Sequence, residues 1–500
     1  MVGLGTSYSW SCGDGTTVVL GSATRRSGIE PVWPSSLGSV NRSIGSLEEL
    51  SLRLRGGVSL AFTVAVCYGV ALQSIRWHGY ELNVQGIHGS TERYESMLML
   101  FHNRRFRFVW LMTLCDEAGL MVYFTVQGWL ALMLTDSPFW VGVTSAMNGL
   151  ALMAFGLLAG VLSDRVNRRL VLTISMTVQA IVAFTTAILI FTDLIELWHL
   201  LAIAFFRGSA GAVKLPSRFA IVLDVVERRE LLKATAINFV GMSTVGIIIP
   251  TFAGLVVQTT DIGWAYVAMG IAWALGPITL IKLKDLQVSK DTNSSPLQDF
   301  RQGIRYVFTT SSVRALVLTV FLGDFFGWGV EAMLPVMARD VLNAGPAGVG
   351  YMFSAISAGI LISTLAISNI REINNKAVLL VAGYVGFGVS LILFSVSPWL
   401  IVSLFLMGLV GLSAGAAETT MDTLLQTTVP DEMRGRVLSF RAFSIGASGS
   451  SGFYTGSIAL FLGAPLAVAI GGSVLVLNGL RLMKGLSSRF VDQSSPQQET

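Results

Sequence analysis

A few charged side chains stand inside otherwise apolar runs of this sequence, and these are the residues with chemistry to perform. Asp116 and Glu117 interrupt one run, and Arg207 with Lys214 interrupts another. Asp324 and Glu331 share a third, while Glu418 and Asp422 lie one turn apart in a fourth. A charge at the centre of a membrane-spanning helix costs about 2.5–3.5 kcal/mol on insertion scales, so each needs a partner or a task. A carboxylate near a guanidinium can take and release a proton, because burial favours its neutral form and the cation its charged form. This reads Asp116, Glu117 or Asp324 as the proton carrier and Arg207 as the residue that biases it. The alternative is a permanent Arg207–Asp116 ion pair that only holds helices together. Glu331 and Asp422 fall near helix ends, where water could solvate them.

A second constellation is the loop Gly160-Val-Leu-Ser-Asp164-Arg165-Val-Asn167-Arg168-Arg169. Asp164 can accept hydrogen bonds from a facing helix N-terminus, while Arg165, Arg168 and Arg169 engage carboxylates or lipid phosphates. The pattern suits a conformational latch. A basic cluster alone could merely set topology, but an aspartate contributes little to topology, which favours the latch. Glu372 stands in a fainter copy of the motif. Arg434 and Arg436 read equally as a second latch or as plain topology charge. Pro250 reads as a kink, and Tyr123, Phe124, Phe155, Phe325, Phe326 and Trp328 as packing or substrate contacts. Four isolated histidines and three scattered cysteines give no metal or disulfide framework. Without a nucleophile–base set the chain does not read as an enzyme. No Gly-x4-Gly-Lys-Ser/Thr pattern for a nucleotide occurs, and neither a cofactor nor nucleic acid is implied.

The elements that must position these residues are membrane helices. The chain is 53% hydrophobic and 13% charged, with a mean hydropathy of +0.66, whereas a soluble domain is nearer a quarter charged. Twelve spans are expected at about 107–134, 139–162, 170–191, 197–220, 232–257, 262–281, 314–338, 348–368, 377–396, 399–425, 437–461 and 464–482. Loops after the even-numbered spans are rich in Lys and Arg, and the opposite loops hold only Arg339. The positive-inside rule therefore places both termini in the cytoplasm. Residues 282–312 divide the spans six and six, and Pro296–Phe308 within them has the spacing of an amphipathic helix at the membrane surface. An offset of 208 residues carries Asp116 onto Asp324 and Asp164 onto Glu372, which suggests a parallel repeat. The resulting plan is a bundle over 97–281, a linker over 282–312, a second bundle over 313–484 and a tail over 485–500. Residues 1–96 are atypical, and read as a disordered extension or as sequence upstream of a natural start at Met97.

From about Asn103 to Leu482 the sequence resembles the major facilitator superfamily, within it the enterobactin-exporter and macrolide-efflux subgroup. The resemblance rests on Trp129–Pro138 with Val141-Gly142, the Asp164 loop, Arg207–Gly211 with Pro216-Ser-Arg218, Gly303–Tyr306 and Gln426–Arg436. It departs at Asn167, where glycine is usual and where asparagine tolerates a left-handed backbone. It departs also at Ile249-Pro250, where the antiporter pattern pairs glycine with proline. The resemblance implies an all-α membrane protein of twelve helices in two six-helix bundles, with spans one, four, seven and ten lining a central cavity. That cavity would hold Asp116, Glu117, Arg207, Asp324, Glu331 and Glu418. The function implied is proton-driven export of a small amphipathic drug or siderophore from a bacterial cytoplasm, by a monomer of the inner membrane. Its partners would be the substrate, protons and membrane lipids. Uncoupled or proton-symport import is the alternative, and a transporter-like sensor or membrane enzyme a more distant one.

Overall fold

Two units make up the chain, Met1–Thr91 and Glu92–Thr500. The computed structural model describes residues 8–11, 17–20, 99–281, 283, 305–369, 376–429 and 443–489, with backbone alone at 8–11, 17–20, 157–165 and a few helix-end positions. The first unit contributes an antiparallel hairpin, β1 (Tyr8–Ser11) and β2 (Thr17–Leu20), with Tyr8 opposite Leu20. The second is helical.

Its first six long helices are α1 (Arg104–Thr135), α2 (Pro138–Arg165), α3 (Arg168–Phe191), α4 (Leu197–Val225), α5 (Leu231–Thr259) and α6 (Ile262–Ile281). A composite helix follows, α7, made of Ser311–Leu322, a π-helical turn at Gly323–Gly327, Val330–Val336 and a second π turn at Met337–Val341. Then come α8 (Gly345–Asn369), α9 (Lys376–Ser395) and α10 (Leu400–Thr428). The last two are α11 (443–450 continued by Gly452–Leu462) and α12 (Ala464–Arg489). Ten of these are long and apolar enough to cross a membrane. The other two are α4, whose mean hydropathy is lowered by Arg207, Lys214, Arg218 and Asp224, and α11, which is interrupted at Ser451.

Helices α1–α6 pack among themselves, as do α7–α12, and the two groups meet chiefly where α5 lies on α8 and α2 on α11. Large apolar side chains such as Phe461, Ile401 and Phe405 point outward, as expected of surface that lipid covers. Trp273 and Tyr266 of α6 are fully buried and centre the first bundle.

Local sequence sets the helix limits. Asn103 caps α1, its Oδ1 accepting from the Arg105 and Phe106 amides, and its Nδ2 donates to the Val225 carbonyl at 2.9 Å, fixing α1 against the end of α4. Asp136 ends α1 in the left-handed region at φ 49°. Asn167 does not use the left-handed freedom expected of it. Its φ is −56°, and its Oδ1 caps α3 through the Arg169 amide at 2.9 Å. Asparagine is a strong N-cap and glycine a weaker one, so this departure from the usual motif satisfies a helix end rather than replacing a turn.

The seam between α2 and α11 is almost backbone on backbone. A Cβ at Gly142 would stand 2.1 Å from the Gly452 carbonyl oxygen. Where α5 meets α8, a Cβ at Gly350 would stand 2.1 Å from the Pro250 oxygen. Both contacts lie toward the helix ends that carry Asp136 and Gly345, and at that end Arg339 reaches from α7 to Asp136 at 2.6 Å.

Candidate functional site

Position along α4 decides the site. Arg207, Gly211, Lys214 and Arg218 recur at spacings of four, three and four residues, so they form one stripe of the helix. The Asn103–Val225 bond sets α1 antiparallel to that stripe. At about 1.5 Å per residue, Asp116 therefore comes level with Lys214, and Arg207 with Tyr123.

The contacts follow this register. Asp116 is fully buried, with Lys214 Nζ on Oδ1 and Arg218 Nη1 on Oδ2, the latter at 2.9 Å. Arg218 Nη2 also donates to Glu117 Oε2 at 2.8 Å. Lys214 donates to Gln179 Oε1 of α3 at 2.7 Å, and Trp273 Nε1 donates to the Asp116 carbonyl at 3.3 Å. These four charges form a closed ion cluster inside the first bundle.

Arg207 stands apart from that cluster. The Arg207–Asp116 ion pair, the alternative to a proton-carrying Asp116, does not form. Arg207 Nη1 donates instead to Asn148 Oδ1 of α2 at 2.8 Å, and its guanidinium sits over the Tyr123 ring, 4.2 Å from the centroid. Its Nε, the Tyr123 hydroxyl and Gln127 Nε2 are buried without a well-formed hydrogen bond to any described residue.

A cavity of roughly 200 Å³ lies between the bundles, bordered by Arg207, Tyr123 and Gln127 on one side and by Glu331 and Trp328 of α7 and Phe353 of α8 on the other. Its walls come from α1, α2, α4, α7, α8 and α11; α10 supplies none of them. Glu331 is half-buried and makes no side-chain hydrogen bond or ion pair among the described residues. Glu418 of α10 lies behind Trp328, accepting from its Nε1 at 2.9 Å. Asp324 is buried within the first π turn of α7 and does not border the cavity. Such π turns recur at functional positions, and the glycines at 323 and 327 give this one close contacts with Tyr384 and Phe387.

Of the latch residues, Gly160, Asp164 and Arg165 lie at the end of α2, where side chains are outside the described set. Glu372, Arg434 and Arg436 lie outside the described residues altogether. Arg168 pairs with Asp224 of α4 at 2.6 Å, and Arg169 Nη2 donates to the Ile281 carbonyl at 3.1 Å. Both arginines therefore tie α3 to neighbours within its own bundle. Arg218, Tyr123, Gln127 and Asn148 are site residues that charge counting did not single out. The stripe on α4 was the available signal for Arg218, and Tyr123 was among the aromatics read as packing or substrate contacts; for Gln127 and Asn148 there was no signal.

Residues 95–497 match a family model described as transmembrane secretion effector. The enterobactin exporter EntS of Escherichia coli (strain K12) is 23% identical over 379 residues, covering 73% of this chain and 88% of that protein. Among solved structures, the nucleoside transporter NupG superposes with a TM-score of 0.63 at 12% identity, covering 76% of this chain and 98% of that one. The peptide transporter POT in complex with sulfate gives 0.62 at 12% identity, covering 77% and 95%. At these identities the solved structures speak for the fold.

Proposed function

This chain belongs to the transmembrane secretion effector family of major facilitator transporters, and on that premise we propose that it exports a small amphipathic organic molecule in exchange for protons. It works as a monomer in a bacterial inner membrane, with both termini in the cytoplasm. The basic residues at 165, 168, 169, 434 and 436 support that orientation, by the positive-inside rule. Export as the direction draws on the likeness to the enterobactin exporter. In this orientation the Asp136–Arg339 end faces outward and is closed.

The observation that carries the reading is Glu331, which borders the cavity between the bundles and has no ion pair among the described residues. Asp116 is occupied by two cations and Glu117 by one, so the first bundle's carboxylates serve to hold α1, α3 and α4 together. Among the described residues Glu331 has no such cation. The charged groups sharing its cavity are Asp116, Arg207, Lys214 and Arg218, with Glu418 behind Trp328. A carboxylate free of ion pairs can exchange a proton with whichever side the cavity opens to, and rocking of one bundle on the other supplies the change of access. Asp324 is secondary in this scheme, and Asp164 with Arg165 completes a latch at the inner end.

The test is proton-driven transport in liposomes containing the purified chain. Glu331→Gln is expected to cut substrate movement driven by a pH gradient at least tenfold, while substrate–substrate exchange at fixed pH continues. Unchanged pH-gradient dependence in that variant would remove Glu331 as carrier. Movement of substrate without any proton flux in the unmodified protein would replace the exchanger with a facilitator.

A further inference from the structure

Three buried cations, Arg207, Lys214 and Arg218, border the cavity on its first-bundle side together with Asp116, and Glu117 is the second buried carboxylate of that group. Lys214 and Arg218 use both carboxylates. Among the described residues of this bundle's site one formal positive charge is left over, and it is Arg207. The side chain is only 8% exposed, a setting where an uncompensated charge is costly. The amide of Asn148 and the face of Tyr123 offset part of this cost, but neither is an anion.

The polar atoms around the leftover charge share one character. Arg207 Nε and Gln127 Nε2 are donors, and the Tyr123 hydroxyl is free to donate. Gln127 Oε1, the acceptor of that amide, is already taken by Tyr266 at 2.9 Å. All three residues border the same cavity. Buried donors without acceptors around a lone guanidinium are complementary to a group with several lone pairs and a negative charge. Beside them the rings of Phe124 and Phe353 stack across the bundle boundary, with centroids 6.2 Å apart at 24°. Both rings border the cavity. This is a flat apolar surface next to the donor set.

We propose that Arg207, Tyr123 and Gln127 form a receptor for a carboxylate carried on an aromatic body, so that the cargo is an aromatic organic anion. Arg207 binds the charge, the Tyr123 hydroxyl and the Gln127 amide complete its coordination, and Phe124 with Phe353 takes the ring. Glu331, on the opposite wall and beyond ion-pair distance of Arg207, stays available to the proton. The inference deepens the transport reading but depends on it only for direction, since binding can be measured without transport.

The experiment is equilibrium dialysis on the full chain in lipid nanodiscs, using three probes of matched shape: 2-naphthoate, neutral 2-naphthamide and cationic 2-naphthylmethylamine. The unmodified protein is expected to bind the carboxylate at least tenfold more tightly than the amide, and the amine most weakly. Arg207→Gln should bring the carboxylate and amide within twofold of each other, and Arg207→Lys should restore part of the gap. Tyr123→Phe, which deletes one oxygen, should weaken the carboxylate about threefold without affecting the amide, and it serves where Arg207→Gln fails to fold. Equal binding of carboxylate and amide, preference for the amine, no binding of any probe, or an intact preference in both Arg207→Gln and Tyr123→Phe would overturn the receptor. Selective binding without proton-driven transport would sink the export reading while leaving the receptor standing. Proton-driven export without anion preference would do the reverse.

Discussion

Asp116→Asn is expected to destabilise the folded protein by about 3–5 kcal/mol, the range for breaking a buried ion pair by removing one partner. The reason is geometric. Lys214 and Arg218, each about nine-tenths buried, converge on the two oxygens of one carboxylate that has no exposure of its own. Asparagine offers one acceptor and no charge, so Lys214 loses its carboxylate partner and Arg218 keeps only Glu117. Glu117→Gln should cost less, because Arg218 keeps Asp116 and Glu117 keeps no other cation waiting. Thermal unfolding in nanodiscs separates these cases. The melting temperature should fall markedly in Asp116→Asn, fall less in Glu117→Gln, and recover in part when Lys214→Met accompanies Asp116→Asn. A normal melting curve for Asp116→Asn would show that the cluster does not hold the bundle. Recovery in the double variant is the sharper observation, because it reports the pairing and not merely a sensitive position.

That cluster also marks what could be read from sequence. Apolar runs placed the helices well: each expected span coincides with a helix among the described residues. The intramembrane charges were equally plain, since hydropathy leaves them nowhere to hide. Their pairing was not. Depth counted along each helix puts Asp116 and Arg207 both near the middle, yet pairing depends on the axial register of α1 against α4, and that register is fixed by the Asn103–Val225 bond. A shift of about two helical turns separates Arg207 from Lys214 as the partner of Asp116. Uncharged residues such as Gln127 and Asn148 carry no signal, because their role arises only when α1, α2 and α4 meet at one cavity. The π turns of α7 were hidden for a similar reason. Glycines 323, 327 and 329 permit close approach, but only the rings of Tyr384, Phe387 and Tyr454 packed against them reveal what approaches.

The largest effect on transport is expected from Gly142→Leu and Gly350→Leu. Each puts a side chain where its Cβ alone would lie 2.1 Å from a carbonyl oxygen of the facing bundle, Gly452 in one case and Pro250 in the other. Backbone cannot yield as a flexible side chain can, so the bundles must part at the end carrying Asp136 and Arg339. If closure there belongs to the working cycle, either variant is held open at that end and turnover falls at least tenfold, while the protein still inserts and folds. Labelling gives the conformational readout. With the native cysteines replaced, Ser145→Cys on the α2–α11 seam should react with a membrane-impermeant maleimide, added outside intact cells, several-fold faster in the Gly142→Leu background. Asp136→Asn provides the contrast. That carboxylate is 83% exposed, and its partner Arg339 keeps Asp340 at 2.6 Å. Exposed pairs of this kind contribute about 0–1 kcal/mol, so transport should change by less than about fivefold and labelling hardly at all. Had the ion pair been the gate, the order of the two effects would be reversed. Close backbone contact, rather than charge, is thus the stronger constraint at this end, because a seam without side chains tolerates no intrusion while a solvated ion pair readily exchanges its partner for water.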